Sequence, residues 1–441
     1  MVQGFSRLIR SPVPLSNLID RIAILIRIVS FFLLRDIFEL HFYILKKLDL
    51  QMIEAPNFDS ETMEKAAYLR KQISVPADLN SPFFVAKFIR GQNGNVEMAR
   101  KRIEHYLLHR ELLGYDKMTE DELYNVHPIG KPTFERFVIS RMDETLTSNN
   151  VHVIVQKLKG TNLNEIMKVI PLSHVIHSYF MFQDMFGRVI AKTENRTGKP
   201  SSVVCILDLD GVNLADFLNP LSAPVKLARL VVKIWADYFS EHLCKLILIN
   251  PPGLVSLMWK ISKYVMDAET AAKLCFLDSV EDLKKYLHPN VIPVEFGGDW
   301  IDSSGFADPP ESCCKSYIPV EKGHYRTQEQ VWSDNGVLKP PPMKTSTIKS
   351  HQKLDIELST KEEGTLIWNF TSSGDVEFEI LRVENGKEIP VWPKITVTSL
   401  KLSEFGSVQV SPGHFILRFV NPSSTWFAVK LHCAAEIKHK S

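Results

Sequence analysis

The 441-residue chain lacks the signatures that usually announce chemistry. Its six cysteines are Cys205, Cys244, Cys275, Cys313, Cys314 and Cys433. They form no CxxC pair and no zinc spacing, which excludes a dithiol redox motif and a zinc-ribbon site. Several lie inside apolar runs, as reduced, mostly buried thiols of a cytosolic protein do. GxSxG, HExxH, HxH and a glycine-rich phosphate loop are all missing, so no nucleophile elbow, zincin helix or P-loop is present. The charge balance is +1, so no global field draws the chain to nucleic acid, and any attraction to a membrane must come from a local patch. No metal and no cofactor are expected.

A clean membrane-spanning run is also missing. Residues 22–45 are very apolar, but Arg27, Arg35, Asp36 and Glu39 interrupt them. A spanning helix needs about 20 apolar residues, and each central charge costs about 2.5–3.5 kcal/mol on insertion. The stretch also has no small-residue cleavage site. It reads as a packed or interfacial helix, with a membrane anchor and non-native sequence as the other readings.

The remaining composition is that of a globular protein, with hydrophobic residues at 45% and charged residues at 23%. The length allows two or three domains of roughly 100–200 residues. Residues 59–125 read as helices. Asp59-Ser60 caps the periodic run Met63, Ala66, Ala67, Leu69; Phe84, Phe88 and Ile89 share a face; Gly91 to Gly94 breaks the pattern; and Val96, Ala99, Ile103, Tyr106 and Leu107 resume it. From about residue 127 the texture changes. Short apolar runs at 137–139, 151–155, 203–207 and 246–249 predict strands buried on both faces, with helices over 172–190 and 224–239 between them. Proline-containing residues 299–350 read as a semi-extended connector. Beyond 351, apolar residues alternate at Leu354–Leu358, Val376–Ile380, Phe415–Phe419 and Phe427–Leu431, with turns at 373–375, 384–386 and 411–413. That spacing predicts an antiparallel sandwich.

Four features could carry function. Asp208 and Asp210 alternate at a strand end before Gly211, which suits either an Asp-Gly turn or the nucleophile and acid of a haloacid-dehalogenase-like phosphatase; Val212 stands where that motif has threonine. Thr270 and Lys273 share the face of a helix opened by Asp267 and could hold a phosphate, or simply form a solvated face. Glu241, just before the run 246–249, could accept hydrogen bonds from polyol hydroxyls or be a surface charge. Leu254, Leu257, Met258, Ile261 and Val265 recur at helical spacing, with Val255, Trp259 and Tyr264 widening the apolar arc and Lys260 and Lys263 edging it. Such a helix suits a buried core position, or a mobile lid that covers a cavity and touches a bilayer.

These motifs together resemble the CRAL-TRIO, or SEC14-like, lipid-binding family. The resemblance rests on Lys-Phe-Ile-Arg at 87–90, Ala-Arg-Lys-Arg at 99–102, Ile-Leu-Asp-Leu-Asp-Gly at 206–211, Leu-Ile-Asn-Pro-Pro at 248–252, and above all the closing stretch 287–298 ending Val-Glu-Phe-Gly-Gly. Residues 364–370, 373–376 and 412–419, with Asn421, Ser424 and Trp426, are similar to a GOLD domain. The pairing resembles animal SEC14-like proteins of the supernatant protein factor type. The fold it implies is an α/β CRAL-TRIO lipid-binding fold with a helical N-terminal subdomain, followed by an all-β GOLD sandwich. The expected divisions are an apolar extension (1–56), the helical subdomain (57–126), the lipid-binding domain (127–300), the linker (301–350) and the sandwich (351–438). The resemblance further implies a non-catalytic cytosolic protein, peripheral at Golgi or other membranes, that carries one phosphoinositide or isoprenoid-like lipid under the gate helix 254–265. Glu241, Thr270 and Lys273 match the family's headgroup residues, and Val203, Cys205 and Leu207 its cavity wall. Gln92 and Asn93 replace a basic pair; Val203 and Cys205 replace a serine and threonine. The other expected role is a lipid-sensing adaptor that engages a protein partner through the GOLD domain.

Overall fold

The structure, a computed structural model, describes residues 52–142, 149–212, 219, 222–252, 272–422 and 427–439. The apolar stretch 22–45, the expected gate helix 254–265 and Thr270 lie outside the described residues. Among the described residues no helix is long and apolar enough to cross a membrane.

The helical N-terminal part follows its capping signals. Helix α1 (Ser60–Arg70) starts where the Asp59 carboxylate accepts the Thr62 N–H at 2.7 Å. Helix α2 (Phe84–Gly91) buries Phe84, Phe88 and Ile89, and α3 (Val96–Leu112) opens at the Asn95 cap. Helix α4 (Glu120–Asn125) carries a Thr119/Glu122 capping box, and α5 (Gly130–Phe134) follows it.

A five-stranded sheet comes next, built from β1 (Val138–Ile139), β2 (Val151–Lys157), β3 (Ser202–Asp208), β4 (Leu243–Ile249) and β5 (Leu274–Phe276) in that spatial order. β1 runs antiparallel to β2; the other neighbours are parallel. Helix α6 (Leu163–Ile166) and the long α7 (Leu172–Thr197) connect β2 to β3; α8 (Ala223–Ile234), ending in a π-helical turn at Trp235–Phe239, lies between β3 and β4. The sheet has two different faces, because side chains alternate along a strand. Val204 and Ile206 pack with Val153, Val155, Ile247 and Ile249 in a closed core. Val203, Cys205 and Leu207 face the other way.

The Phe-Gly-Gly exit has a steric explanation. Gly297 takes φ +79°, and a Cβ on Gly298 would stand 2.0 Å from the Ile292 carbonyl oxygen. The Trp300 N–H donates to that same oxygen at 3.0 Å, closing the turn.

Residues 301–350 are packed rather than a semi-extended linker. Cys314 forms a bridge with Ser140, helix α9 (Gln328–Asp334) buries Trp332 against Val337, Ile367 and Ala434, and β6 (Lys344–Ile348) pairs with the last strand. The polar sequence of β6 conceals an edge strand, whose exposed positions need no apolar residue.

The C-terminal part comprises β7 (Lys353–Thr360), β8 (Gly364–Ser372), β9 (Val376–Glu384), β10 (Lys387–Val397), β11 (Glu404–Val410), β12 (Gly413–Val420) and β13 (Val429–His439). They form two antiparallel sheets, ordered β10-β9-β12-β7 and β11-β8-β13-β6. Trp368 and Phe370 from one sheet meet Phe378, Trp392 and Phe419 from the other, so the sheets pack face to face. Phe427, expected on the final strand, precedes β13 and is exposed.

The sandwich packs on the α/β lobe. The Glu404 carboxylate accepts the N–H groups of Leu172 and Ser173 at 3.1 and 2.8 Å, at the first turn of α7. Asp375 pairs with Arg229 of α8 at 2.7 Å.

Candidate functional site

A cavity of about 290 Å³ lies between the open face of the sheet and helices α7 and α8. Val203, Cys205 and Leu207 of β3 line it, with Ile154 of β2 and Leu246 of β4. Phe182 and Phe186 of α7, Val231 and Val232 of α8, and Trp235 of the π turn close the opposite wall. The alternation of β3 thus divides the strand between core and cavity. Among the described lining residues only Lys273 carries a charge at neutral pH. Burial holds the His242 imidazole down at about pKa 3 and pushes the Cys205 thiol up to about 12, so both stay neutral.

Lys273 sits at one end of the cavity, and its ammonium donates to the Glu241 carboxylate at 3.1 Å and to the Ser240 carbonyl at 3.0 Å. Glu241 is buried rather than a surface loop charge. It also receives the Arg90 guanidinium, which stacks on Phe58 at 3.9 Å and donates to the Asn57 carbonyl at 2.8 Å. Two cations therefore flank one carboxylate. The structure brings Glu241 and Lys273 together, while Thr270 is outside the described residues. Arg90 was legible only as part of the Lys-Phe-Ile-Arg motif; its pairing with Glu241 spans 151 positions. Gln92 donates to the Asp237 carbonyl at 2.9 Å, tying the end of α2 to the π turn after α8, and Asn93 adopts φ +51° in the turn that follows α2.

Polar atoms on the cavity wall are incompletely matched. Gln183 Oε1, Trp235 Nε1 and His242 Nδ1 are buried and have no hydrogen-bond partner among the described residues. Such atoms are uncommon in a finished core.

The aspartate pair at the end of β3 makes a turn. Asp208 Oδ1 accepts the Asp210 N–H at 3.0 Å and the Asn250 amide at 2.9 Å, Asp210 pairs with Lys159 at 2.8 Å, and Gly211 takes φ +74°. Among the described residues no group of three His, Cys, Asp or Glu side chains could hold a metal ion. His177, three residues from His174, contacts His109 instead. The six cysteines form no disulfide; Cys205 and Cys244 are half-buried and the others buried.

Comparison with known proteins agrees with this geometry. Residues 136–298 match the family model of the CRAL/TRIO domain, and the chain therefore contains such a domain. A CRAL-TRIO domain-containing protein of Caenorhabditis elegans is 26% identical over 370 residues, covering 82% of this chain and 91% of the relative. A SEC14 cytosolic factor of Eremothecium gossypii is 25% identical over 216 residues, 48% of this chain and 67% of that protein. A phosphatidylinositol/phosphatidylcholine transfer protein of Arabidopsis thaliana is 26% identical over 151 residues, 33% of this chain and 39% of that protein. The crystal structure of Sfh5 aligns with 14% identity and a TM-score of 0.38 over 63% of this chain and 97% of that one, too low to add to the argument.

Proposed function

We propose that this protein binds a single lipid in the cavity above β3 and transfers it between membranes, without catalysis. The carrying observation is the apolar cavity, walled by Val203, Cys205 and Leu207, with Lys273 at its end as the one charged side chain among the described lining residues. Burying an acyl or isoprenoid chain there gains about 0.8 kcal/mol per CH₂, a gain that is lost in water and kept in a bilayer. A carrier must therefore open onto a membrane. The amphipathic segment 254–265 supplies the gate in this reading, with Leu254, Leu257, Met258, Trp259, Ile261 and Val265 as its apolar face. The names of the SEC14 and phosphatidylinositol/phosphatidylcholine transfer relatives support the same activity.

Glu241, Thr270 and Lys273 form the headgroup end in this reading. A phosphate arriving there would draw on Lys273 and Arg90; an uncharged isoprenoid would leave their pairs with Glu241 intact, and one bearing a hydroxyl would complete the hydrogen bonding of Gln183, Trp235 or His242. The C-terminal sandwich is read as a GOLD domain, and the divisions at 57–126, 127–300 and 351–438 as functional units. The protein works from the cytosol at the surface of Golgi or other membranes.

The test is lipid extraction from the purified full chain with mass spectrometry, followed by exchange between donor and acceptor vesicles. A stoichiometric lipid and measurable exchange are expected. Leu257→Asp with Met258→Asp is expected to stop exchange while leaving the unfolding midpoint within the wild-type range. Unchanged exchange would remove the gate assignment, and the absence of bound lipid would remove the carrier reading.

A further inference from the structure

The contact between sandwich and lobe is more than a packing surface. It bears on both helices that wall the cavity, and it is unusually rich in uncharged imidazoles. On the lobe side, three histidines each meet one sandwich residue. His105 Nε2 lies 2.9 Å from the Lys394 carbonyl. His177 stands edge-on to Trp392 at 5.4 Å. His174 meets Phe405 at 5.8 Å. On the sandwich side, Glu404 caps the first turn of α7, whose N-cap is Pro171, a residue without a capping side chain. Asp375 holds α8 through Arg229.

We propose that the sandwich is a clamp on the two cavity-wall helices, α7 and α8, released when the solution becomes acidic. The geometry leaves no place for added protons. His105 Nε2 must donate to the Lys394 carbonyl, so Nδ1 carries the lone pair, and Nδ1 is buried without a partner among the described residues. His177 Nδ1 is engaged with His109 Nε2 at 2.9 Å, whose Nδ1 meets the Tyr115 hydroxyl, and His177 Nε2 also lacks a partner. Among the described residues no carboxylate forms an ion pair with any of the three. The charged groups facing His105 are Arg102 and Lys394, which oppose a positive ring, and Glu377, which favours one. His177 faces His174 and His127, and His174 faces His127.

The pH window follows from linkage. Burial holds His105 and His174 down at about 4 and His177 well below its ordinary value. Their contribution to docking is complete above about pH 6.5 and is lost as pH falls from there toward the lowered values. Glu404 acts in the opposite sense. Burial raises it to about 7 against its two N–H donors, so its contribution is complete below the ordinary carboxyl range and is lost as pH rises through about 7. Three imidazoles outweigh one carboxyl below about pH 6.5, and the carboxyl acts alone above it. Docking is therefore strongest near pH 6.5, falls steeply toward acid, and falls slightly up to about pH 7, beyond which it is level.

Hydrogen exchange on the full-length protein, corrected for the intrinsic rate at each pH, reads this directly. Amides at the start of α7 and along α8 are expected to exchange slowest near pH 6.5 and about tenfold faster or more near pH 5, while α2 stays protected. His105→Phe with His177→Phe is expected to keep α7 protected at about pH 5, and Glu404→Gln to abolish the loss between about pH 6.5 and 7. Corrected exchange that is flat from pH 8 to 5, or that rises equally in α2, would overturn the proposal. A wild-type acid limb in the folded double variant would do the same. Should that variant fail to fold, the wild-type profile and Glu404→Gln remain decisive.

Discussion

The two halves of the molecule bury different chemistry. The α/β lobe keeps charges inside: Lys87 with Glu194, Arg110 with Asp184, and Glu241 between Arg90 and Lys273. The sandwich fills its interior with Trp368, Phe370, Phe378 and Phe419 and leaves its ion network, Arg418 with Asp355 and Glu388, at the margin. The difference follows from what each half must enclose. Two sheets facing each other fill the space between them with rings. A sheet that leaves one face open to a cavity cannot fix its helices through that face, so directional pairs at the rim hold them. Such pairs specify position strictly, but the loss of one partner strands a buried charge.

The contrast can be broken at its strongest point first. Glu194→Ala leaves Lys87 buried and also removes the acceptor of the Ser201 N–H, and is expected to cost about 3–5 kcal/mol in urea unfolding. A loss below about 1 kcal/mol would show that the buried pairs do not govern the lobe. Phe378→Leu, which keeps an apolar side chain between Phe370 and Phe419, is expected to cost no more than about 1.5 kcal/mol. A larger loss would make the sandwich as exacting as the lobe. Glu61→Ala removes the exposed Lys65 pair on α1 and is expected to cost about 0.3–0.5 kcal/mol, less at high salt. That variant separates burial from location, since it belongs to the lobe but not to its interior. For the cavity itself, Cys205→Trp fills space without adding charge. It is expected to lower bound lipid several-fold in extracts while α1 to α3 keep their hydrogen-exchange protection.

The sequence made some of this architecture legible and hid the rest for identifiable reasons. The continuous apolar runs at 151–155, 203–207 and 246–249 became β2, β3 and β4, because strands covered on both sides need no polar alternation. Helix α7 runs past the expected end at 190 to Thr197, where Gly198 at φ +66° stops it. Strand β10 escaped notice because Pro390 and Pro393 interrupt it; it is an edge strand with bulges, where proline is tolerated. Helix α9 is only about two turns long, anchored by Trp332, and its polar flanks read as connector. At the site, Val203, Cys205 and Leu207 of β3 are implied only by the family resemblance, and the period-two alternation of a strand explains why the three share one face. The burial of Glu241 was not legible, because its partner Arg90 belongs to a helix far upstream. The sandwich's hold on α7 was invisible for the same reason: no local pattern marks Glu404 as a cap for another domain's helix.

That cap has a consequence for how the chain comes to be folded. The Leu172 N–H and its acceptor Glu404 are 232 positions apart. A growing chain emerges N-terminus first, at roughly 5–20 residues per second. The α/β lobe is therefore complete for tens of seconds or less while the first turn of α7 waits for a residue not yet made. During that interval the Leu172 and Ser173 N–H groups at the head of a cavity-wall helix are without the carboxylate that receives them in the finished protein.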